Sequence, residues 1–221
     1  MTAKELKLDY FKVYDVENPS LQEKVALQGQ FDKLAERAVL HFLNHFANPV
    51  SKNGEPFFNK NAHLTWYAIQ EDFTEPTREI IVDNQFAQKQ KLLIGRALFL
   101  LAPAWKIEPD SKPPKGLDHF KVYQVLEGPS VNKTVKLQDQ FGSDEARVGH
   151  PLFFATPVKK LHGATTVEIA NKKAHLLVYS ISPMTMQKTV EARDQFMHKR
   201  FHIARSTWLA APTVKVSWKQ L

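Results

Sequence analysis

The sequence predicts an all-β protein made of four three-stranded units, on three observations. The pair Gln-Phe recurs as Gln30-Phe31, Gln85-Phe86, Gln140-Phe141 and Gln195-Phe196, at a constant step of 55 positions. Around each pair, apolar residues alternate in short runs rich in Val, Ile and aromatics, with little sustained helical periodicity. After a proline-rich midpoint the chain repeats its first half. Self-similarity at a fixed period is the mark of a repeat architecture.

In the first unit, Tyr10, Lys12 and Tyr14 alternate with Phe11, Val13 and Asp15, which predicts a strand over 8–16. Asn18-Pro19-Ser20 is a turn signal. Val25, Leu27, Gly29 and Phe31 share one face of a second strand over 24–31. A helical turn is expected over 32–37, then a third strand over 39–46 closed by Asn48-Pro49. The second unit repeats this order, with strands over 62–69, 79–86 and 91–101 and a stop at Pro103.

Residues 108–116 hold three prolines and a glycine without an apolar anchor, the composition of a stiff linker. Beyond it, Leu117-Asp118-His119-Phe120-Lys121-Val122-Tyr123 matches the segment starting at Leu8, 109 positions earlier. Ala174-His175-Leu176 of the fourth unit answers Ala62-His63-Leu64 of the second. Units one and three therefore match best, as do two and four. This favours two duplicated barrel or sandwich domains, 1–107 and 117–221, flanking the linker. The alternative is a single four-bladed propeller.

The chain is long enough to bury a core without staples. No run approaches the roughly 18 apolar residues of a membrane span. The first seven residues lack the apolar stretch of a secretory signal. A cytoplasmic address is expected if the chain is complete, and a secreted one if a leader was trimmed. With no cysteine, disulfides, thiolate nucleophiles and cysteine metal sites are excluded. The net charge of +7 favours acidic partners, with surface solubility as the plainer reading.

Residues needed in all four copies are best explained by packing. Tyr14, Tyr67, Tyr123 and Tyr179 hold equivalent positions, as do the four Gln-Phe phenylalanines, and both sets read as core aromatics. Pro49, Pro103, Pro157 and Pro212 are expected to close the third strands. Lys52, Lys106, Lys160 and Lys215 follow them and are candidate ligands for a polyanion, or guards of strand ends.

The phrases LDHFKVYQV, VKLQDQF, FFATPVKK and AHLLVYSI resemble an uncharacterised tandem repeat of secreted, myxobacterial-type bacterial proteins, over nearly the whole chain. The resemblance implies cysteines, paired as disulfides, just before the tyrosine and two before the proline. Here those positions hold Val13 and Ala47, Trp66 and Leu101, Val122 and Ala155, Val178 and Ala210. Apolar pairs would fill the space of the bridges.

His41 and His45, and His198 and His202, are four apart, which on a helix gives a metal-binding face; His41 and His45 fall in a predicted strand. His63 and His175 occupy equivalent positions and read as structural, whereas His119 stands where unit one has Tyr10. Asp139 and Asp194 adjoin Gln-Phe and are candidates for paired acid–base work, but Gly29 and Asn84 hold that place in the other units. No phosphate-cradling loop, dinucleotide fingerprint or nucleophile elbow is present, so no cofactor is expected. RNA-binding signatures are missing, and nucleic acid is not the expected partner. The sequence thus points to a non-enzymatic binding or structural module for an anionic polysaccharide, other polyanion or carbohydrate. The alternative is an enzyme with a cleft served by His119, His150 and His162. An engineered repeat protein is a third reading, suggested only by the missing cysteines.

Overall fold

A computed structural model describes every residue except 1–2, 18, 73–74 and 108–111. Asn18 of the first turn signal and the start of the linker lie outside the described residues. The protein is almost wholly β. A short helix, α1 (Ala3–Leu6), precedes β1 (Tyr10–Val16), β2 (Ser20–Gln28) and β3 (Glu36–Lys52) of the first unit. The second unit holds β4 (His63–Glu71), β5 (Arg78–Asn84) and β6 (Gln90–Lys106). The third holds β7 (His119–Glu127), β8 (Lys133–Asp139) and β9 (Gly142–His162), followed by the short β10 (Thr165–Val167). In the fourth, β11 (His175–Arg193) runs through the places of both first and second strands before β12 (His198–Gln220).

The first strands and the third strands pair antiparallel in the cyclic order β1, β3, β4, β6, β7, β9, β11, β12 and back to β1. That is a closed eight-stranded barrel, the size whose lumen side chains can fill. It joins features of both expected arrangements: four units stand around one axis, and a barrel lies at their centre. The ladders β6–β7 and β1–β12 join the residues on either side of the linker.

First strands supply the larger lumen residues: Phe11 and Val13, Leu64 and Trp66, Phe120 and Val122, Leu176 and Val178. Third strands supply Ala47, Leu101, Ala155 and Ala210. Each pair that the resemblance singled out sits directly opposite in a ladder: Val13 with Ala47, Trp66 with Leu101, Val122 with Ala155, Val178 with Ala210. Two residues earlier on the third strands, His45, Phe99, Phe153 and Trp208 form the next layer, with Phe153 and Trp208 centroids 4.9 Å apart. Leu6 of α1 and Leu8 pack into the same core.

The third strands outrun the barrel, and each is bulged where it leaves it. The register slips around Asn44, Leu98, Leu152 and Thr207, equivalent residues of the four units. A bulge bends a strand and raises its twist, so the outer half can swing away to pair with the second strand. Those outer hairpins cover two further cores. Residues of β5 and β8 enclose one around Phe86, Tyr123 and Tyr179. Residues of β2 and the end of β11 enclose the other around Tyr14 and Tyr67.

The far end of each third strand meets the second strand of the unit opposite, in the ladders β3–β8, β6–β11, β9–β2 and β12–β5. The prolines are inside the third strands, not at their ends as expected. Pro49 pairs with Phe11, Pro103 with Leu64, Pro157 with Phe120 and Pro212 with Leu176. Each falls in the gap where the other edge passes from a barrel neighbour to the opposite unit, so one edge is unpaired. A residue without an N–H is tolerated there. The Gln-Phe pairs also lie just beyond the second strands, in the turns, and no helical turn forms at 32–37.

Candidate functional site

Each Gln-Phe turn is the centre of a site assembled from three units. Its phenylalanine meets the tyrosine of the opposite unit edge to face: Phe31 with Tyr123, Phe86 with Tyr179, Phe141 with Tyr14, Phe196 with Tyr67. Centroids are 5.2–5.3 Å apart in all four. Such pairs contribute about 0.5–1.5 kcal/mol each beyond the area they bury. A lysine from the preceding unit caps each ring, with Nζ 6.0 Å from the Phe86 centroid for Lys52, 4.2 Å from Phe141 for Lys106, 5.1 Å from Phe196 for Lys160 and 5.2 Å from Phe31 for Lys215.

The residue before Gln-Phe completes the site. Asp139 accepts from the Phe141 N–H at 2.9 Å and from the Tyr14 hydroxyl at 2.6 Å. Asp194 accepts from the Phe196 N–H at 2.7 Å, the Met197 N–H at 2.9 Å, the Tyr67 hydroxyl at 2.6 Å and Thr65 Oγ1 at 2.5 Å. Asn84 accepts from Phe86 N–H at 2.8 Å and donates to the Tyr179 hydroxyl at 2.9 Å. So Asp139 and Asp194 serve different turns, each engaged with its own tyrosine. Burial raises the Asp194 carboxyl, against its four donors.

The first unit breaks this pattern. Gly29 takes the position, and a Cβ there would meet Val158 at 3.1 Å and both Asp32 and Thr156 at 3.4 Å. The Tyr123 hydroxyl, fully buried, has no hydrogen-bond partner among the described residues. Beside it is a buried charge cluster. Lys121 Nζ is 2.7 Å from Glu71, 2.7 Å from Glu75, 3.0 Å from Glu36 and 3.7 Å from Asp32. Arg78 pairs with Glu75 at 2.6 Å. Burial pulls the Lys121 ammonium down, but Asp32, Glu71 and Glu75 more than offset it, and its pKa ends above the ordinary value. Burial pushes Glu71 up to about 7 despite Lys121. Oxygens of Asp32, Glu36 and Glu75 lie within 4.8 Å of one another, the spacing of a hard-cation site, but the Lys121 ammonium already stands among these carboxylates.

Of the residues the sequence nominated, Lys52, Lys106 and Lys160 are buried at 6, 9 and 0 % exposure, and Lys215 is half-buried. Desolvation lowers Lys160 and Lys215 to about 8, with Asp194 opposing it at Lys160. His41 reaches Gln70, His45 reaches Asp15, His198 reaches Glu191 and His202 reaches Thr189, so neither pair shares a partner. His119 is buried against Gln195, His162 pairs with Glu23 at 3.0 Å, and His150 is exposed on β9. No contact among the described residues joins these three. His119 is also not the divergent residue it looked to be. His63, His119 and His175 all lie four before their tyrosines, and Tyr10 is the exception. The Gln30 side chain holds His175 as Gln195 holds His119.

Sequence reasoning missed the buried charges. Lys12 and Lys121 each fall on one strand face with a buried tyrosine two residues on, in both copies of Phe-Lys-Val-Tyr. A lysine in that company is a buried lysine, and that signal was readable. Glu71, Glu75 and Arg78 are not repeated and gave none.

The site makes a contrasting prediction. Tyr67→Phe leaves the buried Asp194 one donor short and is expected to cost about 1.5–3 kcal/mol. Tyr123→Phe removes a hydroxyl without a partner and is expected to cost under about 0.5 kcal/mol. Urea unfolding of both variants reads the difference; equal losses would contradict it.

No curated protein and no solved structure matches the chain. A family model does, described as a repeat of unknown function, DUF7450, and it spans residues 63–212. With well over half of its length matched, and four copies of one three-stranded unit in its fold, the chain belongs to that repeat family.

Proposed function

We propose that the protein is a non-enzymatic binding module whose ring of units is a rigid frame for exposed loops. The observation that carries this is the use of the repeated polar residues. The tyrosines, Asx residues and capping lysines engage the Gln-Phe turns, and the glutamines reach His175, Glu55, Asn48 and His119, all across unit boundaries, which is what a frame requires. The histidines that an acid–base enzyme would need stand apart. Two equivalent clefts lie open beside the turns of units one and three. One, about 440 Å³, is bordered by Gln28, Gln30, Lys159, Lys172 and Glu168, which pairs with Lys159 at 2.7 Å; the other, about 530 Å³, by Phe57, Lys60, Asn61, Gln140, Glu55 and Asp139. Amides, carboxylates and one aromatic ring are groups that hold sugar hydroxyls and sugar faces, and the two lysines of the first cleft, against its one Glu168, hold acidic substituents. With a net charge of +7, the reading is a polyanionic or carbohydrate ligand at these clefts, not at the lysine ring.

Titration with a sulfated polysaccharide and with neutral glycans, at low and high salt, tests this. Binding that weakens with salt and is lost in Lys159→Glu/Lys172→Glu marks a polyanion in the first cleft. Salt-independent binding of a neutral glycan, lost in Phe57→Ala, marks a carbohydrate in the second. No binding of either at low salt would sink the proposal.

A further inference from the structure

Two lysines at matching positions of units one and three are withdrawn from solvent: Lys12, 1 % exposed, and Lys121, 0 %. Fully buried lysines are rare, and these two have different company. Lys121 shares its charge among four carboxylates. Lys12 faces Asp144, with Nζ 2.5 Å from Oδ1 and the Asp144 side chain 11 % exposed. The two are 132 positions apart, on β1 and β9, in opposite units. Tyr14, whose ring centroid is 5.7 Å from Lys12 Nζ, donates to Asp139. Asn48, the ladder partner of Lys12, donates to the same carboxylate at 3.0 Å. An amine and a largely buried carboxyl are thus held in contact, and a second carboxyl, Asp139, is anchored by Tyr14 and Asn48, the two neighbours of Lys12.

We propose that Lys12 and Asp144 condense spontaneously into an isopeptide bond that staples the first unit to the third. The ion pair first exchanges a proton within its contact, from the ammonium to the Asp144 carboxylate, which leaves a neutral amine facing a neutral carboxyl. The Nζ lone pair then attacks Asp144 Cγ and forms the new N–C bond. One of the two protons then on the nitrogen passes to Asp139 and from there to a hydroxyl on Cγ, and the other stays as the amide N–H. The C–O bond breaks, one water leaves, and Asp139 returns to its carboxylate. No oxidant, reductant or cofactor is consumed. Groups fixed at contact distance react as if at about 10⁵–10⁸ M, which lets a weak electrophile serve. At Lys121 the surrounding carboxylates hold the proton on the amine, so the equivalent position stays an ion pair. Asp139 acts here as a positioning and proton-carrying group, and its replacement should slow the reaction without removing either partner.

Intact-mass spectrometry of the purified, folded full chain tests the proposal directly. The expected mass is one water, about 18 Da, below the sequence mass, the signature of an intramolecular condensation. A digest should contain one branched peptide joining Lys12 to Asp144. Lys12→Met and Asp144→Ala should each restore the full sequence mass for their chains, and Asp139→Asn should leave a mixture that shifts with incubation. A folded chain at its full sequence mass would overturn the proposal. So would a deficit that maps to any other residues.

Discussion

Acidification is expected to unfold the ring between about pH 6.5 and pH 4. His63, His119 and His175 are buried, and desolvation lowers them to about 3, 3 and 4, with nearby lysines adding to the effect. They stay neutral in the folded state, whereas in the unfolded chain they take up protons below about pH 6.5. The unfolded state then binds more protons, so stability falls as pH falls. Each histidine contributes a slope of up to about 1.4 kcal/mol per pH unit, so three acting together reach about 4, and Glu71, raised to about 7, opposes them with up to about 1.4 as pH falls from 7 toward 4.5. Burial raises Asp9, Asp118 and Asp194, and these carboxyls work in the opposite direction at low pH. Urea midpoints at pH 7.5, 6, 5 and 4 read the slope. A flat profile down to pH 4.5 would contradict the argument, and His119→Gln should flatten it by roughly half.

Lys121→Met is expected to be the most damaging single substitution, at about 3–5 kcal/mol. The change keeps the volume and removes the charge that Asp32, Glu36, Glu71 and Glu75 share, which leaves, among the described residues, Arg78 paired with Glu75. The penalty lies in the uncompensated carboxylates, so it must depend on pH. Glu71 already sits at about 7, above its unfolded value, and this contribution to stability is present at low pH and lost as pH rises through 7. Without Lys121 its pKa rises further. The variant should therefore be far less stable than the parent at pH 8.5 and closer to it at pH 5.5. For a chain of this size the loss at high pH corresponds to roughly 10 °C in the melting temperature. A loss equal at both pH values would mean that packing, not charge, is at stake.

The repeat made the class of fold legible. Alternation in segments such as Phe11 to Tyr14, on the beat of Gln-Phe, is a local property, and local properties survive in a sequence. How the units meet is not local. That Phe31 packs on Tyr123 depends on a contact across the ring, and four-fold repetition reads the same whether copies meet neighbours or opposites. The prolines misled for a related reason: a lone proline signals an unpaired edge, and a strand with one edge briefly free looks in sequence like a strand that ends. Core tyrosines and phenylalanines were readable because burial of a large ring is their default. The lysine ring was not, because a lysine's stem and charge favour different surroundings, and only the neighbouring Phe rings decide between them. The acidic cluster was invisible because Glu71, Glu75 and Arg78 are not repeated and meet Asp32, Glu36 and Lys121 only across unit boundaries.

The crossing of third strands into opposite units also bears on how such a chain arose. A half-length chain, residues 1–107, would end with β2 and β3 lacking their mates on β9 and β8, and β5 and β6 lacking theirs on β12 and β11. Because units one and three match, as do two and four, a second copy of the same half presents those mates. Two copies related by a two-fold axis would close the same barrel. The ring is thus the shape of a symmetric dimer written into one polypeptide, with the 108–116 segment as its join. Fusion frees each half to diverge from the other. Gly29 and its charges, present in one half and not in the other, are what a two-fold partnership of identical chains forbids.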